Sequence, residues 1–386
     1  QWWENEGQRA LANNSVAYKE KPQMGTFMRE WLALYESKSG ERGIFNRQAA
    51  KKQASLNGRR DHEQDFGCNP CSEIILRPYQ FCNLSEVVVR ASDTQQSLTE
   101  KVRLATILGT FQSTLTDFKY LRKIWKNNTE EERLLGVSLT GIMDNAMMSG
   151  KSAHLGMNIG ATLNALKEQA IETNASMSQQ LGIPQSAAIT CVKPSGTVSQ
   201  LVDSASGIHA RHNPYYIRTV RGDNKDPLTQ FMVSVGIPAE PDVMKPDSTT
   251  VFSFPMKSPQ GAVTRFDMSA IEQLELWLLY QRHWCEHKPS VTISVKEEEW
   301  MEVGSWVYEH FDEVSGISFL PFSEHTYKQA PYQDCTVEEY GEMLKRMPAA
   351  IDWTWLQDYE KEDTTSGGRE LACTAGVCEV VDIAAA

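Results

Sequence analysis

The sequence lacks long apolar runs, is poor in cysteine and carries no excess of positive charge. Its 386 residues contain no signal peptide at Gln1 and no run of about 18 apolar residues, so neither secretion nor membrane spanning is expected. Eight cysteines are too few for a disulfide scaffold in a chain of this length, which favours a reducing cytoplasm. The net charge of −12 argues against a protein that coats nucleic acid.

What is present is typical of a globular protein. Apolar residues make up 41% of the chain and charged residues 23%. The length allows one large unit or two smaller ones. There is no internal repeat and no low-complexity linker, and the only tail-like stretch is 360–386, with a flexible glycine joint at 364–368. Because the chain begins with Gln1 in a Trp-rich pattern instead of with Met, we expect it to be a piece of a longer protein.

Apolar spacing and capping patterns predict helices that alternate with strands. The predicted strands are 186–192, 249–254, 290–295 and 316–320, and the main predicted helices are 97–125, 129–149, 158–181, 267–287, 297–311 and 336–346. Strands that alternate with helices predict an α/β fold with parallel organisation.

The stretch 66–86, FGCNPCSEIILRPYQFCNLSE, concentrates the most chemically capable side chains. In an extended backbone Asn69, Cys71 and Glu73 would project to the same side. The prolines and glycine of this stretch oppose a helix, so a loop or a strand end is predicted. An amide, a thiol and a carboxyl are then expected to meet at one place.

Cys68 and Cys71 also form a Cys-x-x-Cys pair, which leaves two other functions open. Such a pair can be half of a zinc site or a thioredoxin-like dithiol. A structural zinc site needs two more ligands, and Cys82 is too far along the chain to make a second tight pair. A thioredoxin-like motif lies between a strand and a helix, a context that Pro78 opposes.

A second motif, Lys193-Pro194-Ser195-Gly196-Thr197-Val198-Ser199, directly follows a predicted strand. Small residues allow backbone N–H groups to approach an anion closely, and a helix that starts there adds a favourable dipole. The motif therefore predicts a phosphate loop at 193–199, although a simple capped turn has the same local pattern.

A third motif lies beyond the glycine joint, where Cys373 and Cys378 are five positions apart. Two thiols on a mobile tail suit thiol–disulfide exchange with a buried disulfide. The alternative is a pair of exposed thiols without a function.

In combination these motifs resemble the ribonucleotide reductases. Asn69-Pro70-Cys71-Ser72-Glu73, followed by Cys82-Asn83-Leu84, is similar to their active-site finger loop, and narrowly to that of the adenosylcobalamin-dependent (class II) ribonucleoside-triphosphate reductases. The resemblance implies that Cys71 becomes a thiyl radical and that Glu73 takes the 3′-hydroxyl proton. It further implies that Asn69 binds the sugar hydroxyls and that Cys82 supplies an electron.

The same resemblance implies the fold, the cofactor and the partners. The fold would be part of a ten-stranded α/β barrel of two parallel five-stranded sheets, with residues 1–358 as its C-terminal portion and 359–386 as a redox-active tail. Pro194, Ser195, Gly196 and Thr197 would bind the phosphates of a ribonucleoside triphosphate. Adenosylcobalamin would be the cofactor, thioredoxin or a similar reductant would regenerate the enzyme through Cys373 and Cys378, and no metal ligands are assigned.

The chain departs from that family in one respect. The thiol partner of Cys82 should lie several hundred residues upstream, so a separate N-terminal half is expected as a partner chain. Two rival interpretations remain. A class I catalytic chain, with a radical from a metal-bearing subunit, would carry late paired tyrosines that are absent here. A dithiol or zinc-binding module would perform no nucleotide chemistry.

Overall fold

The computed structural model describes residues 14–38, 43–151, 158–322 and 328–361. The strands are β1 Ser15–Tyr18, β2 Gly43–Asn46, β3 Gly67–Cys68, β4 Ile75–Leu76, β5 Asn83–Val88, β6 Leu135–Thr140, β7 Thr190–Cys191, β8 Tyr215–Asp223, β9 Ala239–Pro241, β10 Thr249–Lys257, β11 Thr292–Val295, β12 Gly316–Pro321 and β13 Tyr332–Asp334. The α-helices are α1 Met24–Ser37, α2 Arg47–Ser55, α3 Gln95–Gln112, α4 Lys123–Glu132, α5 Ile159–Leu181, α6 Gly196–Leu201, α7 Pro227–Ser234, α8 Ala270–His283, α9 Trp300–Glu309, α10 Val337–Arg346 and α11 Leu356–Tyr359.

These elements form two compact units. The first comprises the described residues within 1–211 and 260–322, and the second those within 212–259 and 323–386. In the described part of the chain, no helix has both the length and the apolar character needed to cross a membrane.

The first unit contains two small sheets and a hairpin. Strands β5, β6 and β7 are parallel, and β11 and β12 are parallel to each other. A parallel bridge between Val192 and Pro289 links the segments that follow β7 and precede β11. Strand β12 then pairs antiparallel with β2, which is parallel to β1. The hairpin of β3 and β4 carries the loop predicted to be functional.

Aromatic side chains of α8 fix the segments on either side of that bridge. Trp277 is buried and donates its indole N–H to the Pro289 carbonyl at 2.8 Å. Trp284, just after α8, is also buried and donates to the Cys191 carbonyl at 2.7 Å. Each indole therefore fills the core while its polar atom is satisfied, as buried tryptophans require.

The second unit contains an antiparallel sheet in the order β13-β8-β10-β9. Two adjacent tyrosines, Tyr215 and Tyr216, lie on β8, well before the late position at which a class I chain would carry its pair. Tyr216 is buried and Tyr215 packs against Tyr340. Thr336 caps α10 through a capping box with Glu339, as the sequence pattern predicts.

The α/β class and most predicted elements are confirmed, but four expectations are not. The predicted helix 97–125 is too long, because α3 ends at Gln112 and α4 begins at Lys123. The predicted strand 249–254 lies in β10, which pairs antiparallel with β8 and β9, so the parallel organisation holds only in part. The predicted helix 129–149 is wrong, because α4 ends at Glu132 and the following residues form β6, all six of them buried. The described residues form small separate sheets and do not by themselves complete a ten-stranded barrel. The tail residues Cys373 and Cys378 lie outside the described residues.

Candidate active site

The finger loop is a tight turn between β3 and β4 instead of an extended segment. The amide of Ser72 donates to the Asn69 carbonyl at 2.9 Å, which closes the turn. Ser72 has a φ of 67°, in the left-handed region that non-glycine residues rarely adopt. The prediction of a loop is confirmed, whereas the alternation of side chains expected for an extended backbone does not apply.

The three predicted side chains have different environments in this turn. The Oδ1 atom of Asn69 accepts a hydrogen bond from the Ile74 amide at 2.9 Å, so the amide side chain braces the loop itself. Cys71 keeps partial solvent exposure. Glu73 is fully buried. A buried carboxyl group close to an accessible thiol is suited to proton transfer beside a reactive sulfur.

Lys193 brings the second predicted motif to Glu73. Its Nζ atom donates to Oε1 of Glu73 at 3.3 Å. Burial opposes the charge on this ammonium, but Glu73 and then Cys71 raise the pKa of Lys193, and the net result is a raised pKa. Among the described residues, Oε2 of Glu73 has no hydrogen-bond partner although it is buried.

Cys82 lies just before β5, beside β6. A Cβ atom added to Gly136 would come within 3.2 Å of its Sγ atom, so glycine leaves room for this sulfur. Burial, followed by the charge of Glu73, raises the pKa of Cys82 well above its ordinary value. The group is therefore a thiol at neutral pH and not a thiolate.

A segment that sequence reasoning gave no functional role, 287–290, holds alternate residues of the finger loop through hydrogen bonds. Ser290 Oγ donates to the Cys71 carbonyl at 2.5 Å, and the Lys288 amide donates to the Glu73 carbonyl at 3.3 Å. The Nδ1 atom of His287 accepts a hydrogen bond from the Ile75 amide at 3.3 Å. Its Nε2 atom forms a hydrogen bond with the Leu135 carbonyl at 2.9 Å. Burial, with a smaller effect of Arg60, lowers the pKa of His287 to about 3, which fits a neutral ring with its proton on Nε2.

The far end of the loop is fixed by a buried ion pair. The Nε and Nη2 atoms of Arg60 donate to the two carboxylate oxygens of Glu132 at 3.0 Å and 3.1 Å. Gln80 also donates to Glu132, and its own Oε1 accepts the Arg77 amide at 3.1 Å. The loop residues 77–80 are thereby bound to the end of α4.

Replacing Arg60 with methionine is expected to lower the free energy of unfolding by about 3–5 kcal/mol, because the buried Glu132 carboxylate loses its two-pronged partner and keeps only the more distant Arg77, whose Nε lies 3.9 Å from Oε2. Urea titration of the chain followed by far-UV circular dichroism measures the change. The double variant Arg60→Met with Glu132→Gln should recover part of the loss. Arg103→Met, which breaks the exposed pair with Glu100, should change stability little. Equal losses for Arg60→Met and Arg103→Met would contradict the prediction.

The predicted phosphate loop follows β7 and leads into α6. Ser195 is buried, and its hydroxyl donates to Oε2 of Glu86 at 2.8 Å. Burial raises the pKa of Glu86, while the Ser195 bond acts in the opposite direction. Gly196 is partly exposed and Thr197 is exposed, whereas the Ser195 hydroxyl is already engaged.

Four further cysteines lie within the described ranges. Cys191 and Cys285 are buried, and Cys68 and Cys335 are partly exposed. Among the residues that the structure describes, no group of three or more His, Cys, Asp or Glu side chains is arranged to hold a metal ion.

Comparison with known proteins bears on this site. No family model matches the sequence. Several curated relatives are adenosylcobalamin-dependent ribonucleoside-triphosphate reductases. The relative from Euglena gracilis is 28% identical over 80% of this chain and 42% of its own length. That from Lacticaseibacillus paracasei is 26% identical over 96% of this chain and 53% of its own. The relative from Levilactobacillus brevis is 27% identical over 89% of this chain and 48% of its own length.

Solved structures agree in fold. A B12-dependent (class II) ribonucleotide reductase aligns with a TM-score of 0.75 and 23% identity, covering 94% of this chain and 54% of that one. The alpha subunit of the Actinobacillus ureae class Id ribonucleotide reductase aligns with a TM-score of 0.50 and 11% identity. The alignment covers 81% of this chain and 65% of that one. The resemblance found from the motifs is therefore confirmed. The chain spans about half the length of the curated relatives it matches.

Proposed function

We propose that this chain is the C-terminal half of the catalytic chain of an adenosylcobalamin-dependent ribonucleoside-triphosphate reductase, acting in the cytoplasm. The observation that carries the proposal is the environment of Glu73. This buried carboxyl group follows Cys71 by two residues, binds Lys193 through one oxygen and leaves the other without a partner among the described residues. An orphaned buried oxygen is costly in a protein and indicates a site for a ligand.

The residues present fit the implied cofactor in one respect. Cys71 keeps partial exposure, so its thiol is accessible to a radical source. When bound, adenosylcobalamin supplies radical chemistry that protein side chains do not provide on their own.

In the proposed reaction the chain's own groups act on the ribose. The Cys71 thiyl radical takes the 3′ hydrogen atom of the ribose, and the free oxygen of Glu73 takes the proton of the 3′-hydroxyl. Asn69 orients the sugar hydroxyls. The 2′-hydroxyl leaves as water with a proton from Cys82 or a second thiol, and these two thiols then give two electrons and end as a disulfide. Glu73 returns its proton to the 3′-oxygen, and Cys71 returns the hydrogen atom to C3′, which restores the thiyl radical. The thiol character of Cys82 suits it to give a hydrogen atom.

The phosphate loop is proposed to hold the triphosphate of the substrate. Thr197 offers an exposed hydroxyl, and the Gly196 N–H closes the turn by donating to the Pro194 carbonyl at 3.0 Å. Gly196 is proposed to let a phosphate approach the backbone closely because it carries no side chain. Ser195 is proposed to act through its backbone, because its hydroxyl already donates to Glu86. Since Lys193 connects this loop to Glu73, substrate phosphates and the reacting ribose would be bound by adjacent residues.

The missing half is proposed to complete both the site and the fold. It would supply the thiol partner of Cys82 and the remaining strands of a ten-stranded barrel. Strands β5 to β7 together with β11 and β12 would form one parallel half of that barrel, and β1 and β2, antiparallel to β12, would belong to the other. The test is to combine the chain with that N-terminal half and assay reduction of ATP and CTP with and without adenosylcobalamin. Product formation that does not depend on the cofactor would contradict the proposal.

The C-terminal tail is proposed to renew the active-site thiols. Replacing both Cys373 and Cys378 with serine should leave one turnover intact and block further turnovers with thioredoxin, because the internal disulfide is then no longer reached. Deoxynucleotide formed per enzyme, measured with thioredoxin and with a small dithiol, gives the result. The dithiol should restore multiple turnovers. Continued turnover of the double variant with thioredoxin would exclude this role.

A further inference from the structure

Lys288 is a fully buried lysine next to the finger loop. Its Nζ atom donates to the Ser72 hydroxyl at 2.6 Å and to the Ser315 carbonyl at 3.3 Å, and it lies 4.8 Å from the centre of the Phe45 ring. No carboxylate forms an ion pair with it within the described ranges. Buried lysines are normally paired with an acid, so this arrangement needs an explanation.

The surrounding backbone is shaped to admit this ammonium group. A Cβ atom on Gly316 would lie 1.9 Å from Nζ of Lys288 and 2.7 Å from Oγ of Ser72. Only glycine at position 316 therefore allows the lysine to reach the loop. The contact joins residues 216 positions apart in the chain, so no local structure accounts for it.

The loop residue that receives this hydrogen bond is the strained one. Ser72 has a φ of 67° and lies between Cys71 and Glu73. A non-glycine residue in this region is strained and persists when its surroundings hold it there. If Ser72 relaxed to a negative φ, the directions of the flanking side chains would change.

We propose that Lys288 is a positioning residue: by holding Ser72 in the left-handed conformation, its ammonium group sets where the Cys71 thiol and the Glu73 carboxyl point. The catalytic consequence rests on the proposed function, but the effect on the loop does not. Lys288 itself touches neither reacting group through its side chain. Its backbone amide supports the same geometry through the Glu73 carbonyl.

A role in general stability would lead to a different expectation. Burial lowers the pKa of Lys288 to about 8, with Cys68 and then Glu73 acting in the opposite direction. Burying this charge therefore opposes folding. Methionine, which is similar in shape to lysine but uncharged, would remove that unfavourable contribution. Lys288→Met is expected to fold with unchanged or higher stability, yet with a less ordered finger loop.

Hydrogen exchange of the chain at neutral pH, read by mass spectrometry on peptides covering 66–76, tests the proposal without nucleotide or cofactor. In Lys288→Met the amides of Ser72, Ile74 and Ile75 should exchange about tenfold faster or more, because a hydrogen bond from a charged donor is lost. Lys119→Met, the same change at an exposed lysine, is the control and should leave these amides unchanged. Unchanged protection in Lys288→Met would overturn the proposal.

Substitutions at Ser72 separate positioning from packing and remain informative if Lys288→Met does not fold. Ser72→Ala and Ser72→Gly both remove the acceptor hydroxyl, but glycine adopts a positive φ without strain. Exchange should rise in Ser72→Ala and stay near wild type in Ser72→Gly. Ser72→Gly should also restore protection in the Lys288→Met background. Equal exchange in the alanine and glycine variants would contradict the assigned role.

Activity provides a separate comparison. In the reconstituted enzyme, Lys288→Met should lower kcat while the Kd for the nucleotide stays near wild type, and Ser72→Gly should recover part of kcat. If exchange responds as expected but no variant, including wild type, reduces nucleotides, the positioning role stands and the proposed function fails. If wild type is active and exchange does not respond, the positioning role fails alone.

Discussion

Replacing Cys71 with serine is expected to abolish deoxynucleotide formation by the reconstituted enzyme while nucleotide binding survives. The reaction requires a hydrogen atom to leave the side chain at position 71, and the O–H bond of serine is much stronger than the S–H bond of cysteine. Serine is otherwise similar in size, and the backbone carbonyl of residue 71 still accepts the Ser290 hydroxyl. The loss should therefore lie in the chemical step.

The measurement is product formation in a single turnover, with nucleotide binding followed by equilibrium dialysis. Cys335→Ser, which changes another partly exposed thiol, is the matched control and should keep full activity. Deoxynucleotide formation by Cys71→Ser at a rate near wild type would end the proposed mechanism. Loss of nucleotide binding together with activity would point to a folding defect in that variant.

Replacing Glu73 with glutamine is expected to lower the rate of the chemical step by about 10²- to 10⁴-fold, the usual contribution of a general base. Glutamine keeps the shape of the side chain and can still accept the Lys193 ammonium through its carbonyl oxygen. What it cannot do is take a proton from the 3′-hydroxyl. The prediction rests on the Oε2 atom of Glu73, which has no hydrogen-bond partner among the described residues.

Rapid-quench measurement of deoxynucleotide formation gives the rate, and the Kd for the nucleotide should change little. Glu63→Gln, at an exposed carboxylate of the same unit, serves as the control. A Glu73→Gln enzyme with a wild-type rate would show that another group takes the proton. A rate loss accompanied by an equal loss of binding would assign Glu73 to substrate binding instead.

The finger loop shows what residue patterns could and could not predict. The stretch 66–86 was identified because an amide, thiols and a carboxyl lie close together in the sequence. Its conformation was not predicted correctly. An extended backbone was expected, whereas the structure has a turn in which Ser72 adopts a positive φ. Serine carries no strong signal for that conformation. The hydrogen bond that accompanies it comes from Lys288, more than 200 positions away.

The segment 287–290 was missed for a related reason. Its sequence, His-Lys-Pro-Ser, reads as an ordinary polar junction between a helix and a strand. The structure places all but its proline in hydrogen bonds to residues 71–75. One local feature hints at the burial of Lys288. This lysine stands directly before a proline and close to β11, two of whose residues are buried, so its charged side chain has little access to water.

Strand β6 was mistaken for a helix because local signals competed with burial. Thr129 and Glu132 match a capping-box pattern, but in the structure they lie in the last turn of α4. Arg133 then adopts a φ of 46°, which ends the helix. The following six residues are all buried, and a strand covered on both faces shows no alternation by which to recognise it.

By itself the sequence determined which groups are available for chemistry. These are a thiol two residues before a carboxyl, two further cysteines in the same stretch, and a small-residue motif after a buried strand. Only the tertiary structure decided how those groups are used. It placed Lys193 against one oxygen of Glu73 and left the other without a partner among the described residues. It also buried the ammonium of Lys288 beneath the turn. The physical reason is that burial and charge at one side chain depend on residues 120 to 216 positions distant, which no local pattern encodes.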